Sequence, residues 1–142
     1  MTTVWIQLLT AFFGSLGFAL LFGLRRRYLL PASLGGMLAW GIYLAMEAWL
    51  GLPFLSGLTA SAFAVLYAEL LAHWLRSPAT MFVVPAILPL VPGGSLYHAM
   101  SYAVHGDLAQ ARSSGIDTLL MALAIAAGLS LVLALRELRT RR

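Results

Sequence analysis

The sequence predicts an all-α integral membrane protein, a bundle of five transmembrane helices whose fourth is broken by proline and glycine. Three observations carry that expectation. Of 142 residues, 61% are hydrophobic and only 10% are charged, against roughly a quarter charged in soluble domains, and the mean hydropathy is +0.90. The apolar residues fall into five stretches long enough to span, since one crossing takes about 20 residues. The run Val84–Ser95 then places three prolines and two glycines in the middle of one such stretch. Residues 1–142 read as a single transmembrane domain with no room for a separate soluble one.

The first stretch, about 4–24, follows a start that lacks the positive n-region of a signal peptide. It runs into Arg25-Arg26-Arg27 rather than a small-residue cleavage site, so a retained helix is expected. The second, about 29–50, carries Glu47 near one end, where a solvated interfacial side chain is expected. The third, about 54–75, carries Glu69, with His73 four residues on and on the same helical face. An ionisable group inside a span is costly unless paired or wet, which makes Glu69 and His73 candidates for proton coupling or for a structural hydrogen bond to each other. The fourth stretch is about 81–104. The fifth, about 116–135, begins at Asp117, where an acidic residue suits the helix dipole, while Asp107 and Arg112 fall in the loop before it. Alternating ten-residue strands are absent, which excludes a spanning barrel.

The net charge of +4 comes with nine basic residues, all arginines and all at segment ends. Such placement sets topology and does not build a nucleic-acid surface. Arg25, Arg26, Arg27, Arg76, Arg136, Arg139, Arg141 and Arg142 share one side, and Arg112 is alone on the other. Five crossings therefore put the C-terminus in the cytoplasm and the N-terminus outside. With no cysteine, neither a disulfide framework nor a thiolate metal site can form, and no cofactor or metal is expected.

Small residues recur every fourth position on three helices, as Ala11, Ser15, Ala19, Gly23, then Ala60, Ala64, Ala68, Ala72, then Ala122, Ala126, Ser130, Ala134. In lipid, such stripes let backbones approach, within the bundle or against another subunit, and self-association is one option.

Proline removes its own N–H and crowds the carbonyl four residues earlier, so a straight helix cannot pass through Pro85, Pro89 and Pro92. After Gly93-Gly94, Ser95 has the chemistry of an N-cap for a second half-helix over about 96–104. The N–H groups at its start suit a carboxylate, and the closing carbonyls of the first half suit an ammonium group or a cation. Ser95, His98 and Tyr102 recur at helical spacing beside Tyr97 and Ser101. The candidate solute-binding set is thus Pro89, Pro92, Gly93, Gly94, Ser95, Tyr97 and His98. Gly93-Gly94-Ser95 with His98 also has the makings of a serine nucleophile and base, but no strand-turn-helix elbow can exist in such a chain, so no enzyme is expected.

The run Arg76-Ser77-Pro78, then Pro85-x-x-x-Pro89-x-x-Pro92-Gly93, then Tyr97, resembles the threonine/serine exporter family of bacterial membrane proteins, specifically its small five-helix half. That resemblance implies export of threonine and serine, or of dicarboxylates such as succinate, coupled to the proton gradient across the bacterial inner membrane. It also implies a larger partner subunit with five helices and a cytoplasmic domain. Pro89, Pro92, Gly93 and Tyr97 match the family pattern, whereas Gly94 falls in its variable position and Glu69 and His73 match no motif. The competing expectation is a membrane scaffold or assembly subunit that transports nothing.

The arginine bias yields the first test. A reporter active only in the cytoplasm should work when fused after Arg142 and fail in segments 51–57 and 106–114. The reverse pattern overturns the five-span arrangement.

Overall fold

The computed structural model describes residues 2–140. Met1, Arg141 and Arg142, the last two counted above for topology, lie outside the described residues. Six helices follow one another: α1 (Thr2–Leu21), α2 (Arg26–Leu50), α3 (Pro53–Leu75), α4 (Thr80–Ile87), α5 (Gly93–Val104) and α6 (Leu108–Thr140), with a 3-10 turn over Leu88–Leu90 between α4 and α5. No strand occurs among the described residues. Helices α1, α2, α3 and α6 are each long and apolar enough to cross a membrane. The pair Thr80–Leu90 and Gly93–Val104, bent by 46°, supplies a fifth crossing if counted as one span.

The helix ends are set by local chemistry. Gly23 (φ +67°) and Gly51 (φ +62°) take the left-handed conformation that closes α1 and α2, and the Gly51 N–H returns to the Glu47 carbonyl at 2.8 Å. Arg76 does the same for α3 at φ +49° without being glycine. Pro53 opens α3, where its missing N–H costs nothing. Asp107 opens α6, its Oδ1 accepting the Gln110 N–H at 3.1 Å. That cap starts the last helix eight residues before the apolar stretch begins. Arg112 is therefore helical rather than in a loop, and Asp117 lies in the third turn rather than at the start.

The inside of the bundle is small and the outside is large. Ala19, Ala32, Ala39, Ala60, Ala64 and Ala68 are fully buried, as are Ser15, Ser33, Ser56 and Ser61, while Trp49 is 84% exposed and Val104 86%. A soluble protein sorts its side chains the other way. In lipid the tails are as apolar as leucine, so association rests on close backbone packing and large side chains can face outward.

Helix α2 is the centre of that packing, with α1 and α3 on its flanks and α4 across it. At Gly36 an added Cβ would collide with the Ser15 hydroxyl of α1 and lie 3.1 Å from the Pro85 carbonyl of α4. At Gly35 it would lie 2.7 Å from the Tyr67 ring of α3 and 3.3 Å from Ala86 of α4. The Tyr67 hydroxyl also donates to the Pro31 carbonyl of α2 at 2.9 Å. Four helices thus converge on two glycines. On the far side of α3, Gly128 of α6 meets Ser61, with the Leu58 carbonyl 2.6 Å from where its Cβ would stand.

The stripes expected on α1 and α3 are the buried faces: Ala11, Ser15 and Ala19, then Ala60, Ala64 and Ala68. On α6 the stripe Ala122, Ala126, Ser130 and Ala134 is exposed, and the face turned to α3 carries Ala124, Ile125, Gly128 and Val132. Gly57 of α3 selects that face, because Met121 and Ala124 close over it, the Ala124 Cβ lying 3.3 Å from the Cβ position.

Gly128→Ala should therefore destabilise the protein in detergent by about 1–3 kcal/mol, the cost of overpacking where backbone cannot yield. Gly115→Ala on the same helix has nothing within 4 Å of its Cβ and should be neutral or stabilising by up to about 1 kcal/mol. Thermal unfolding of both variants measures the contrast, and equal midpoints would show that α3 and α6 do not meet at Gly128.

Candidate functional site

The site begins with the missing donors of α4. Pro92 withholds an N–H from the Leu88 carbonyl, which instead accepts from Val91 at 3.2 Å, tightening the chain into the 3-10 turn. Pro89 withholds one from the Pro85 carbonyl, which is sheltered against Gly36. Val91 is then extended (φ −60°, ψ 125°), and α5 starts in a new direction at Gly93.

The first turn of α5 differs in one respect from the sequence expectation. Pro92 is the N-cap residue and Ser95 lies inside the turn. The Gly93 N–H goes to the Val91 carbonyl at 2.7 Å and the Leu96 N–H to the Pro92 carbonyl at 3.1 Å. Gly94 and Ser95 carry the remaining orphan N–H groups that every helix start leaves. The Ser95 hydroxyl donates to the Pro92 carbonyl at 3.1 Å and accepts from Thr118 of α6 at 3.0 Å. Thr118 shares that proton with the Ser114 carbonyl at 2.8 Å.

A hollow of about 640 Å³ opens on this turn. Pro89, Leu90, Val91, Pro92, Gly94 and Ser95 form one wall, Trp40 and Tyr43 of α2 a second, Leu52, Pro53 and Phe54 a third, and Asp117, Leu120 and Met121 of α6 a fourth. Trp40 stacks on Tyr43 with ring centroids 5.1 Å apart, and Tyr43 in turn interacts with Glu47. Trp40 and Pro89 also border a smaller hollow of about 290 Å³ toward Gln7, Thr10 and Gly14 of α1.

Of the residues expected at a solute site, Pro89, Pro92, Gly94 and Ser95 line the hollow, and Gly93 sits at its edge as the first residue of α5. Tyr97 and His98 do not line it. They are exposed on the outer side of α5, His98 stacked on Tyr102 at 6.1 Å and edge-on to Tyr97 at 5.7 Å. Helix α5 rests on α6 and buries no residue of its own.

Glu69 and His73 belong to the other end of the bundle. Glu69 Oε1 accepts from Arg136 Nη1 of α6 at 3.2 Å, with the carboxylate 22% exposed and the arginine 62%. No Glu69–His73 hydrogen bond is present. His73 is exposed and shares an open hollow with Trp74, Arg76 and Ser77. Phe54, at the first hollow, and Glu69 are fifteen residues apart on α3, which is about 22 Å at 1.5 Å per residue.

Sequence reasoning missed Trp40, Tyr43 and Asp117 as lining residues. Nothing along the chain pairs the middle of α2 with the Pro-Gly-Gly turn, and Asp117 looks like a capping residue until the last helix is seen to begin at Leu108.

A family model described as Threonine/Serine exporter, ThrE, matches residues 7–135. No curated protein and no solved structure matches the chain.

Proposed function

The chain belongs to the threonine/serine exporter family, and on that premise we propose that it is one half of a two-component, proton-coupled exporter of small carboxylate-bearing solutes. The hollow beside the Pro-Gly-Gly turn is its solute site. The observation that carries this reading is the start of α5, where the orphan N–H groups of Gly94 and Ser95 belong to residues lining a hollow of about 640 Å³. Amides at a helix start favour an anionic group, and broken helices hold solutes in this way in other membrane carriers. Multi-pass membrane residence follows from the apolar helices and the family. The family supports a bacterial inner membrane, and the arginine bias supports an orientation with the arginine-rich end in the cytoplasm.

Two surfaces support a larger partner subunit. The outer side of α5, with Tyr97 68% and Met100 64% exposed, and the small-residue stripe of α6 are covered by none of the described residues. Helices of a second subunit pack well on such a stripe.

Glycine at 94 is not required by packing within the chain, since an added Cβ meets nothing within 4 Å. Gly94→Val should therefore fold normally yet fill the hollow, cutting threonine efflux from cells expressing the chain and its partner by about tenfold or more, as loss of one charge-assisted contact predicts. Ser95→Ala should cost no more than a few-fold. Unchanged efflux in Gly94→Val at normal membrane abundance removes the hollow from the transport path, and loss in neither variant favours the scaffold reading.

Glu69, held by Arg136 near the arginine-rich end, is the proposed proton-coupling group, because protonating it releases a tie between α3 and α6. Glu69→Gln should abolish proton-driven accumulation in vesicles while solute counterflow continues, since exchange needs no net proton release. Equal loss of both assigns Glu69 to folding or to solute binding instead.

A further inference from the structure

We propose that the hollow at the end of α3 holds the headgroup of an anionic phospholipid, with Arg76 and His73 on its phosphate and Trp74 beside its chains. This goes beyond the transport reading and stands without it. The hollow, about 850 Å³, is lined by Ala72, His73, Trp74, Arg76 and Ser77. Leu75 packs against the cluster that contains Leu24 and Tyr28, so the hollow lies at the arginine-rich end, beside the connection that carries Arg25, Arg26 and Arg27. The ends of spanning helices stand at the level of the lipid headgroups, where anionic lipids attract cationic side chains.

The fold alone gives no reason for arginine at position 76. Arg76 closes α3 at φ +49°, in the left-handed conformation that glycine takes at less cost and that Gly51 supplies at the end of α2. Among the described residues no carboxylate pairs with its guanidinium. That planar fork fits two phosphate oxygens at once, and the His73 ring adds an N–H donor to the same hollow. Trp74 is 73% exposed, an amphipathic ring of the kind that settles at the membrane interface. No aspartate or glutamate lines the hollow, and Glu69, one turn earlier on α3 than His73, is already held by Arg136. The ammonium group of a zwitterionic lipid therefore finds no partner there, while a lipid with net negative charge is matched. Exposure of these side chains suits such a ligand, because lipid reaches a helical bundle only from outside.

The test is thermal unfolding of the full chain, purified in a nonionic detergent and titrated with phosphatidylglycerol, phosphatidylcholine or inorganic phosphate. A ligand that binds the folded chain raises the midpoint. Phosphatidylglycerol should raise it saturably, and neither phosphatidylcholine nor inorganic phosphate should do so over the same range. Without lipid, Arg76→Gly should unfold no earlier than the wild type, because glycine suits the cap. It should nevertheless need about tenfold or more phosphatidylglycerol for half of the shift, the loss expected for one charge-assisted contact. Arg26→Gln removes a charge at the same end but outside the hollow, and should change that concentration by no more than about twofold, as expected of a solvated, screened charge. If Arg76→Gly is itself unstable, Arg76→Gln carries the comparison with the same expected loss. Equal weakening by the substitutions at 76 and 26 overturns the site in favour of a diffuse surface field. An equal shift from phosphatidylcholine overturns it as a general effect of lipid, and an equal shift from inorganic phosphate makes the hollow an anion site without lipid.

Discussion

In a solvent as apolar as the side chains, the contacts that hold this bundle together are those where backbones touch. Gly36, facing Ser15 of α1 and the Pro85 carbonyl of α4, joins three helices at one point. A methyl group there would push α1 and α4 away from α2 together. Gly35, with Tyr67 and Ala86 against it, ties α3 and α4 to the same turn. Gly57 and Gly128 repeat the device between α3 and α6. Dispersion contacts and a few interhelical hydrogen bonds, such as Tyr67 to Pro31 at 2.9 Å, supply what the hydrophobic effect supplies in water.

The broken helix depends on that centre. The chain can carry Pro89 just after α4 because the Pro85 carbonyl that loses its donor lies against Gly36 of α2, inside protein, where an irregular backbone is tolerated. Beyond Leu90, fully buried at 1% exposure, the chain leaves α2, turns through Val91 and Pro92 and comes to rest on α6 alone. The hollow is the space left by that departure. Its walls belong to α2, to Leu52 and the start of α3, to the turn with the start of α5, and to α6, so it exists only when all of them are in place.

Two places hold the polar groups proposed to take part in transport. One is the hollow, with its N–H groups. The other is the arginine-rich end, where Glu69 joins Arg136 across α3 and α6. Helix α6 takes part in both, and α3 runs between them with Ala60, Ala64 and Ala68 buried along its length.

The all-helical fold, its long apolar helices and the family were legible in the chain, because each is a property of consecutive residues: runs of about twenty apolar side chains and a recurring proline spacing. The small-residue stripes of α1 and α3 were legible for the same reason. The stripe of α6 was not. Ala122, Ala126 and Ser130 are as regular as Ala60, Ala64 and Ala68, yet they face outward, because lipid accepts an apolar face as readily as a neighbouring helix does, and periodicity then cannot tell buried from exposed. Glu69 was visible as an ionisable group in a span, but its partner lies 67 positions away at Arg136. Asp117 was visible only as a residue beginning a helix that in fact begins earlier. The sequence by itself therefore determined that the chain is helical and apolar enough to cross a membrane several times, since backbone donors and side-chain bulk act locally. Only the tertiary structure decided which faces meet, which charges pair and which residues share the hollow, since those follow from where glycines let separate helices touch.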